Sequence, residues 1–205
     1  MNLEELFLNL LAKIGFSDAE SAAKWKELHK AYSAKSRYYH NLKHLQEMIA
    51  CFKNYRDLLQ HPDEVLYAIF YHDYIYKTTK KNNELRSAQY AISILPTDSS
   101  LDKNRVFNLI LSTKDHQCSN NDDEKWLIDF DLRILAKEWD DYLLYAQQIR
   151  REYRIYPDFM YKPGRKKALA HFLTNPFIFQ TETFQSLYET KARENIQHEI
   201  AYLSN

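Results

Sequence analysis

The sequence contains very little glycine, with 2 glycines and 5 prolines in 205 residues. A phosphate-binding loop needs several glycines in a fixed pattern, and neither GxGxxG nor GxxxxGK[ST] is present. This excludes the common dinucleotide-binding and P-loop classes. Few glycines and few prolines are also more typical of helices than of a β architecture with many turns. The absences therefore favour a helical chain.

Cysteines are few as well, and the formal net charge is zero. The two cysteines, Cys51 and Cys118, are far apart, which argues against a disulfide framework and a cysteine-based zinc site. The 28 basic residues balance the 28 acidic ones, so we expect no dedicated nucleic-acid surface. No run approaches the ~20 apolar residues of a membrane span, and the N-terminus lacks a signal-peptide pattern. We expect a cytoplasmic monomer or homodimer without a membrane partner.

Apolar residues recur at helical spacing through most of the chain. The first such set is Leu3, Leu6, Phe7, Leu10, Leu11 and Ile14. No segment shows a convincing strand pattern. The sequence predicts an all-α fold of roughly eight to ten helices around one core, in a single domain over residues 1–205.

Capping and helix-breaking residues divide this pattern into elements. Gly15 ends the first helix, and Asn41 is the predicted cap of the third. Asp122 or Asp123 is the predicted cap of a later helix. Pro163 and the glycine after it are expected to separate helices, which leaves two last helices at about 165–174 and 182–203.

An adjacent histidine and aspartate, His72 and Asp73, stand at the end of an apolar helical run. An aspartate drawn toward a buried face is costly unless it is paired. A hydrogen-bond network, a basic side chain or a metal ion can provide the pairing. Imidazole nitrogen and carboxylate oxygen suit Mn, Fe, Co, Zn or Mg. The adjacency favours one ion that takes both side chains.

Further candidate ligands are spread along the chain. Asp131 lies on an apolar helical face, where a carboxylate is paired or bound to a metal; a helix cap or an arginine pair is the alternative. His40 precedes the third helix, and His44 follows one turn later. His116 follows another helix, where a loop residue can point into a cleft. Each histidine alone is more typical of a hydrogen-bonded residue, but the combination predicts a metal site.

The ordered set His40, His72, Asp73 and Asp131 resembles the HD-domain superfamily of metal-dependent phosphohydrolases. The sequence around these residues is also similar to a stand-alone branch of predicted phosphohydrolases within that superfamily. The similar segments are residues 37–44, 71–76, 83–88, 112–116, 129–135 and 192–195. The resemblance covers most of the chain. It implies an HD-type helical bundle in which these four residues hold a divalent ion.

The resemblance also implies a reaction. An ion at this site would activate a water molecule for attack on a phosphate ester, with a nucleotide or a small phosphorylated metabolite as the substrate. Asp73 would act in catalysis as a ligand, and Glu84 would be the general base or position the water. A helix-start glutamate favoured by the helix dipole is the alternative for Glu84.

The remaining site residues are assigned to the substrate. Arg37 and Lys77 are expected to bind phosphate oxygens, although an exposed loop position is the alternative for Lys77. His116 and His44 are expected to bind substrate or a second ion, and His44 can instead orient His40.

Two other function classes stay open. A di-iron oxygenase on a similar scaffold would need His44 and His116 as additional ligands. A binding module would keep the metal without turnover. Because no closely spaced histidine pair lies between Asp73 and Asp131, we expect one strongly bound ion.

Overall fold

A computed structural model describes residues 2–116 and 121–204 of the chain. Within these residues it contains ten α-helices and no strand, which confirms the all-α prediction. The helices are α1 (Leu3–Lys13), α2 (Asp18–Tyr32), α3 (Leu42–Tyr55), α4 (Pro62–Tyr71), α5 (Asn83–Ser93), α6 (Lys103–Ser112), α7 (Asp122–Leu132), α8 (Trp139–Glu152), α9 (Asp158–Thr174) and α10 (Glu182–Tyr202). Short 3₁₀ turns follow α3 and α7. Cys118 lies outside the described residues.

Side-chain caps fix the start of several helices. Asn41 accepts a hydrogen bond from the Lys43 amide, which confirms it as the cap of α3. Ser17 and Glu20 form a capping box at α2, in which each side chain satisfies a backbone amide of the other residue. Gly15 follows α1 with φ of +104°, a backbone conformation that glycine adopts without strain.

Two predicted boundaries differ from the structure. The cap of α7 is Asn121, whose side chain accepts from two amides in the first turn, while Asp122 and Asp123 lie inside the helix. The helix expected to carry His72 and Asp73 ends at Tyr71. His72 still has helical backbone angles and caps α4, so the pair lies at the helix end.

The prediction that Pro163 lies between helices was wrong, because α9 continues through it. Proline removes one backbone donor and normally breaks a helix interior. The acceptor that loses this donor is the carbonyl of Phe159, whose residue is 78% exposed. Phe159 thus lies at the protein surface in the first turn of α9.

One cluster of buried apolar side chains runs from Phe7 to Ile196, with α4 at its centre. Every residue of α4 from Glu64 to Tyr71 is buried. Helices α3 and α7 both pack against α4. The end of α4 therefore lies inside the protein, next to side chains from two other helices.

The single domain over 1–205 stays a prediction. No helix in the described ranges has the length and apolarity needed to cross a bilayer.

Candidate metal centre

Three side chains from three helices converge at the end of α4. The ligand atoms of His44, His72 and Asp131 all lie within 4.8 Å of one another. The Nε2 atoms of the two histidines are 3.3 Å apart. The Oδ1 atom of Asp131 is 3.1 Å from Nε2 of His44 and 4.0 Å from Nε2 of His72. The group therefore has the composition and the spacing of a site that can hold a metal ion.

The other predicted ligands adjoin this group. An Asp73 carboxylate oxygen is 3.2 Å from Nε2 of His72 and 3.9 Å from Nε2 of His40. The second oxygen of Asp131 is 3.4 Å from Nε2 of His116. All four residues predicted as ligands thus lie together, and so do the two histidines assigned to substrate or a second ion.

The protons of His72 show why the cluster suits a cation. Its Nδ1 is 2.9 Å from the backbone carbonyl of Ile69, which only accepts hydrogen bonds, so Nδ1 carries the proton. In the neutral ring Nε2 is then an acceptor. It faces His44 Nε2 and oxygens of Asp73 and Asp131. Nε2 of His72 and the oxygens of Asp73 and Asp131 are three acceptors, and they are stable together only if they share a proton, such as one on Nε2 of His44, or a cation.

Charge couples these groups strongly. Burial alone would raise the pKa of the Asp131 carboxyl, but hydrogen bonds from His116 and His44 hold this pKa well below its usual value. Burial would lower the pKa of His72, yet the nearby carboxylates of Asp73 and Asp131 raise it to about 9. Without a metal ion, an imidazolium proton takes the place of the cation.

His40 is oriented by a residue that the sequence did not point to. Its Nδ1 lies 2.6 Å from a carboxylate oxygen of Glu152, which leaves Nε2 directed at Asp73. Glu152 is buried, and it also accepts from the backbone amides of Tyr39 and His40 and from the Tyr76 hydroxyl. A carboxylate behind a ligating histidine is common in metal sites. No local pattern could have found Glu152, because 112 residues separate it from His40.

His72 and Asp131 of this cluster line a cleft of about 330 Å³, together with His40, Asp73 and His116. Three lysines line the cleft as well: Lys80, Lys81 and Lys114. The first two belong to the loop before α5, the loop from which only Lys77 was predicted to bind phosphate oxygens. Glu84, in the first turn of α5, also lines the cleft. Partial burial raises the pKa of its carboxyl. Its catalytic role stays a prediction.

The two other basic residues expected at the substrate lie elsewhere. The guanidinium of Arg37 is buried and donates to the backbone carbonyls of His40, Asp73 and Tyr74. It does not line the cleft, so its contacts favour a positioning role. Lys77 is exposed and is also absent from the cleft lining.

Comparisons of the chain with protein-family models, curated proteins and solved structures find no match. The likeness to the HD-domain superfamily therefore rests on the sequence segments alone. The described residues support a coarser conclusion, which is an all-α protein with a histidine and aspartate cluster able to hold a metal ion.

Proposed function

We propose that this protein is a metal-dependent phosphohydrolase of the HD-domain type that acts on a phosphate ester, either a nucleotide or a small phosphorylated metabolite. One observation carries the proposal. Two members of the cluster of His44, His72 and Asp131, namely His72 and Asp131, line a cleft that lysines also line. A cation site beside fixed positive side chains suits a ligand with several negative oxygens.

The cluster and its neighbours fit the predicted ion. His44, His72 and Asp131 would hold it together with Asp73 and His40, which Glu152 keeps oriented. When bound, a divalent ion lowers the pKa of a water molecule and stabilises charge on phosphoryl oxygens. Mn, Fe, Co, Zn and Mg all accept this mixture of nitrogen and oxygen ligands to different degrees.

The remaining cleft residues would act on the substrate. The ammonium groups of Lys80, Lys81 and Lys114 bind phosphate oxygens. Hydrolysis joins a water oxygen to phosphorus, breaks the ester P–O bond and returns a proton to the leaving oxygen. Glu84 would accept the proton of the water, a role for which a carboxyl with a raised pKa is suited.

A second candidate function is a di-iron oxygenase. The observation that favours it is the position of Asp131, whose two oxygens face different histidines, His44 on one side and His116 on the other. A carboxylate in such a position can bridge two ions. Loading metal-free protein with iron under anaerobic conditions, followed by optical spectra on admission of oxygen, distinguishes this candidate.

The test of the phosphohydrolase is a screen with metal-free protein. Mn, Co, Mg and Zn are added one at a time to a panel of nucleotides and small phosphate esters, and released phosphate and pyrophosphate are measured. We expect release with at least one ion and none from an Asp131→Asn variant treated in parallel. No release with any ion would overturn the proposal. Equal release by the variant would point to a contaminating phosphatase and overturn it too.

A further inference from the structure

A second cavity, of about 530 Å³, lies between α8 and α9. It adjoins the cleft of about 330 Å³ that His72 and Asp131 line, which we call the metal cleft. We name the second cavity the tyrosine cavity, after the four tyrosines among its lining residues: Tyr145, Tyr153, Tyr156 and Tyr161. His40 and Tyr153 line both this cavity and the metal cleft. The metal cleft and the tyrosine cavity therefore meet at these two side chains.

Among the described residues, no side chain that lines the tyrosine cavity carries a charge without an opposite charge beside it. Its one arginine, Arg165, is held by Glu199 through two hydrogen bonds of 2.8 and 3.0 Å, and it also donates to the Tyr145 hydroxyl. Both members of this pair are largely buried. No carboxylate side chain of the described ranges lines the cavity. The metal cleft is lined by three lysines and four carboxylates, whereas the tyrosine cavity is lined mainly by rings and apolar groups, so the two spaces suit different parts of a ligand.

The size and the rings of the cavity indicate what fits there. The centroid of Tyr153 is 6.2 Å from those of Tyr156 and Tyr161, within the range of favourable ring contacts. Ile149, Met160 and Ala168 complete an apolar lining. A volume of this size is typical of small-molecule sites. An uncharged, ring-bearing group matches both the aromatic walls and the lack of free charge.

We propose that the tyrosine cavity binds the uncharged, ring-bearing alcohol part of a phosphate monoester whose phosphate lies in the metal cleft. This inference rests on the proposed phosphohydrolase function and narrows its substrate. Esters with a bulky ring are then better substrates than compact aliphatic esters, because only the former fill the cavity.

Gly164 offers a way to fill the cavity without disturbing the fold. It lines the cavity, and a Cβ atom placed on it meets no atom within 4 Å. It also lies inside α9, where most other residues favour the helix more than glycine does. A Gly164→Leu variant should therefore fold while its side chain takes up space in the cavity. Ala170→Leu is the matched control, since Ala170 is exposed on the same helix and outside the cavity lining.

The experiment compares 1-naphthyl phosphate with glycerol phosphate on the metal-loaded protein. We expect Gly164→Leu to lower kcat/KM for the naphthyl ester by about tenfold or more and to leave that for glycerol phosphate unchanged. Ala170→Leu should leave both unchanged. Equal kcat/KM values for the two esters in the native protein, or the same loss for both in Gly164→Leu, would overturn the inference.

A binding measurement separates this inference from the proposed function. The fluorescence of 1-naphthol is titrated with native protein and with the Gly164→Leu and Asp131→Asn variants. Binding that Gly164→Leu weakens and Asp131→Asn preserves supports the ligand class of the cavity, even if no ester is hydrolysed and the proposed function fails. Hydrolysis of esters without any naphthol binding would instead overturn the inference and leave the proposed function standing.

Discussion

Two aspartates on α7, Asp129 and Asp131, differ in what holds them. Asp129 is fully buried and accepts from the backbone amides of Gln180 and Thr181 and from the Thr181 hydroxyl. It therefore joins α7 to the start of α10. Asp131, two residues later, faces the imidazoles of His44 and His116 in the metal cleft. One carboxylate meets backbone amides and a hydroxyl, and the other meets imidazole nitrogens.

This difference separates structural carboxylates from those available to a cation. Asp123 resembles Asp129, since it accepts from the backbone amides of Gln60 and His61, both at 2.8 Å. Backbone amides cannot leave, so such a carboxylate has little capacity for a metal ion. Imidazoles can lose their protons and become ligands themselves. Surroundings of this kind identify a candidate metal site more reliably than the presence of a buried carboxylate.

The largest expected effect comes from replacing Asp131 with asparagine. Asp131→Asn should abolish metal retention, because it removes the negative charge that the histidines share. The metal content of purified protein, measured by elemental analysis, checks this. Unchanged content would contradict the assignment of Asp131 as a ligand.

Asp129→Asn is the matched control for that variant. In either orientation its amide nitrogen would face a backbone N–H, that of Gln180 or that of Thr181, so the free energy of unfolding should fall by about 1–3 kcal/mol. Metal content should stay at the native level. Loss of metal in this folded variant would break the distinction between the two aspartates.

A smaller effect is expected at the carboxylate behind His40. In Glu152→Gln an amide nitrogen can donate to Nδ1 of His40 and so move the ring proton to Nε2, the atom that faces Asp73. Metal affinity should fall by about 10–100-fold, the range typical of residues behind the ligands. Calorimetric titration of metal-free protein measures it. Tyr76→Phe, which removes one hydrogen bond to Glu152, should have less effect, and the reverse order would contradict this role.

The smallest effect is a pH dependence of the metal-free protein. The pKa of His72 is raised to about 9 in the folded state, against about 6.5 when unfolded. Bound protons therefore stabilise the fold fully below about pH 6.5, and this contribution is lost as the pH rises through about 9. The Tm should fall over this interval, and less so in Asp131→Asn. A Tm that is constant or rises would count against the shared proton.

Local pattern was sufficient for much of the fold. Helical spacing gave the all-α class, and Asn41 was identified as a cap because its effect reaches only two residues along the chain. Pro163 led to a wrong prediction, because a proline normally ends a helix whereas α9 continues through it. Whether a helix tolerates a proline depends on its tertiary surroundings, which no local pattern contains.

The candidate site was predictable only in part. His72 and Asp73 are adjacent in sequence, and Asp131 lies on an apolar face, so both features are visible in the sequence. The arrangement of His44 against His72 requires α3 and α4 to pack, and Glu152 reaches His40 from α8. Arg37 illustrates the opposite error, because a basic residue near ligands suggests anion binding while its donors are bound to backbone carbonyls.

The carbonyl contacts of Arg37 have a consequence for ion selection. One guanidinium joins the segment of His40 to the residues after α4, with bonds of 2.7 and 2.8 Å to Asp73 and Tyr74. The backbones of His40 and Asp73 cannot separate without breaking these bonds. The spacing of their side chains is therefore limited before any ion arrives. A stiff arrangement of this kind discriminates between ions by radius, since a larger ion must strain the protein whereas a smaller one leaves its bonds too long.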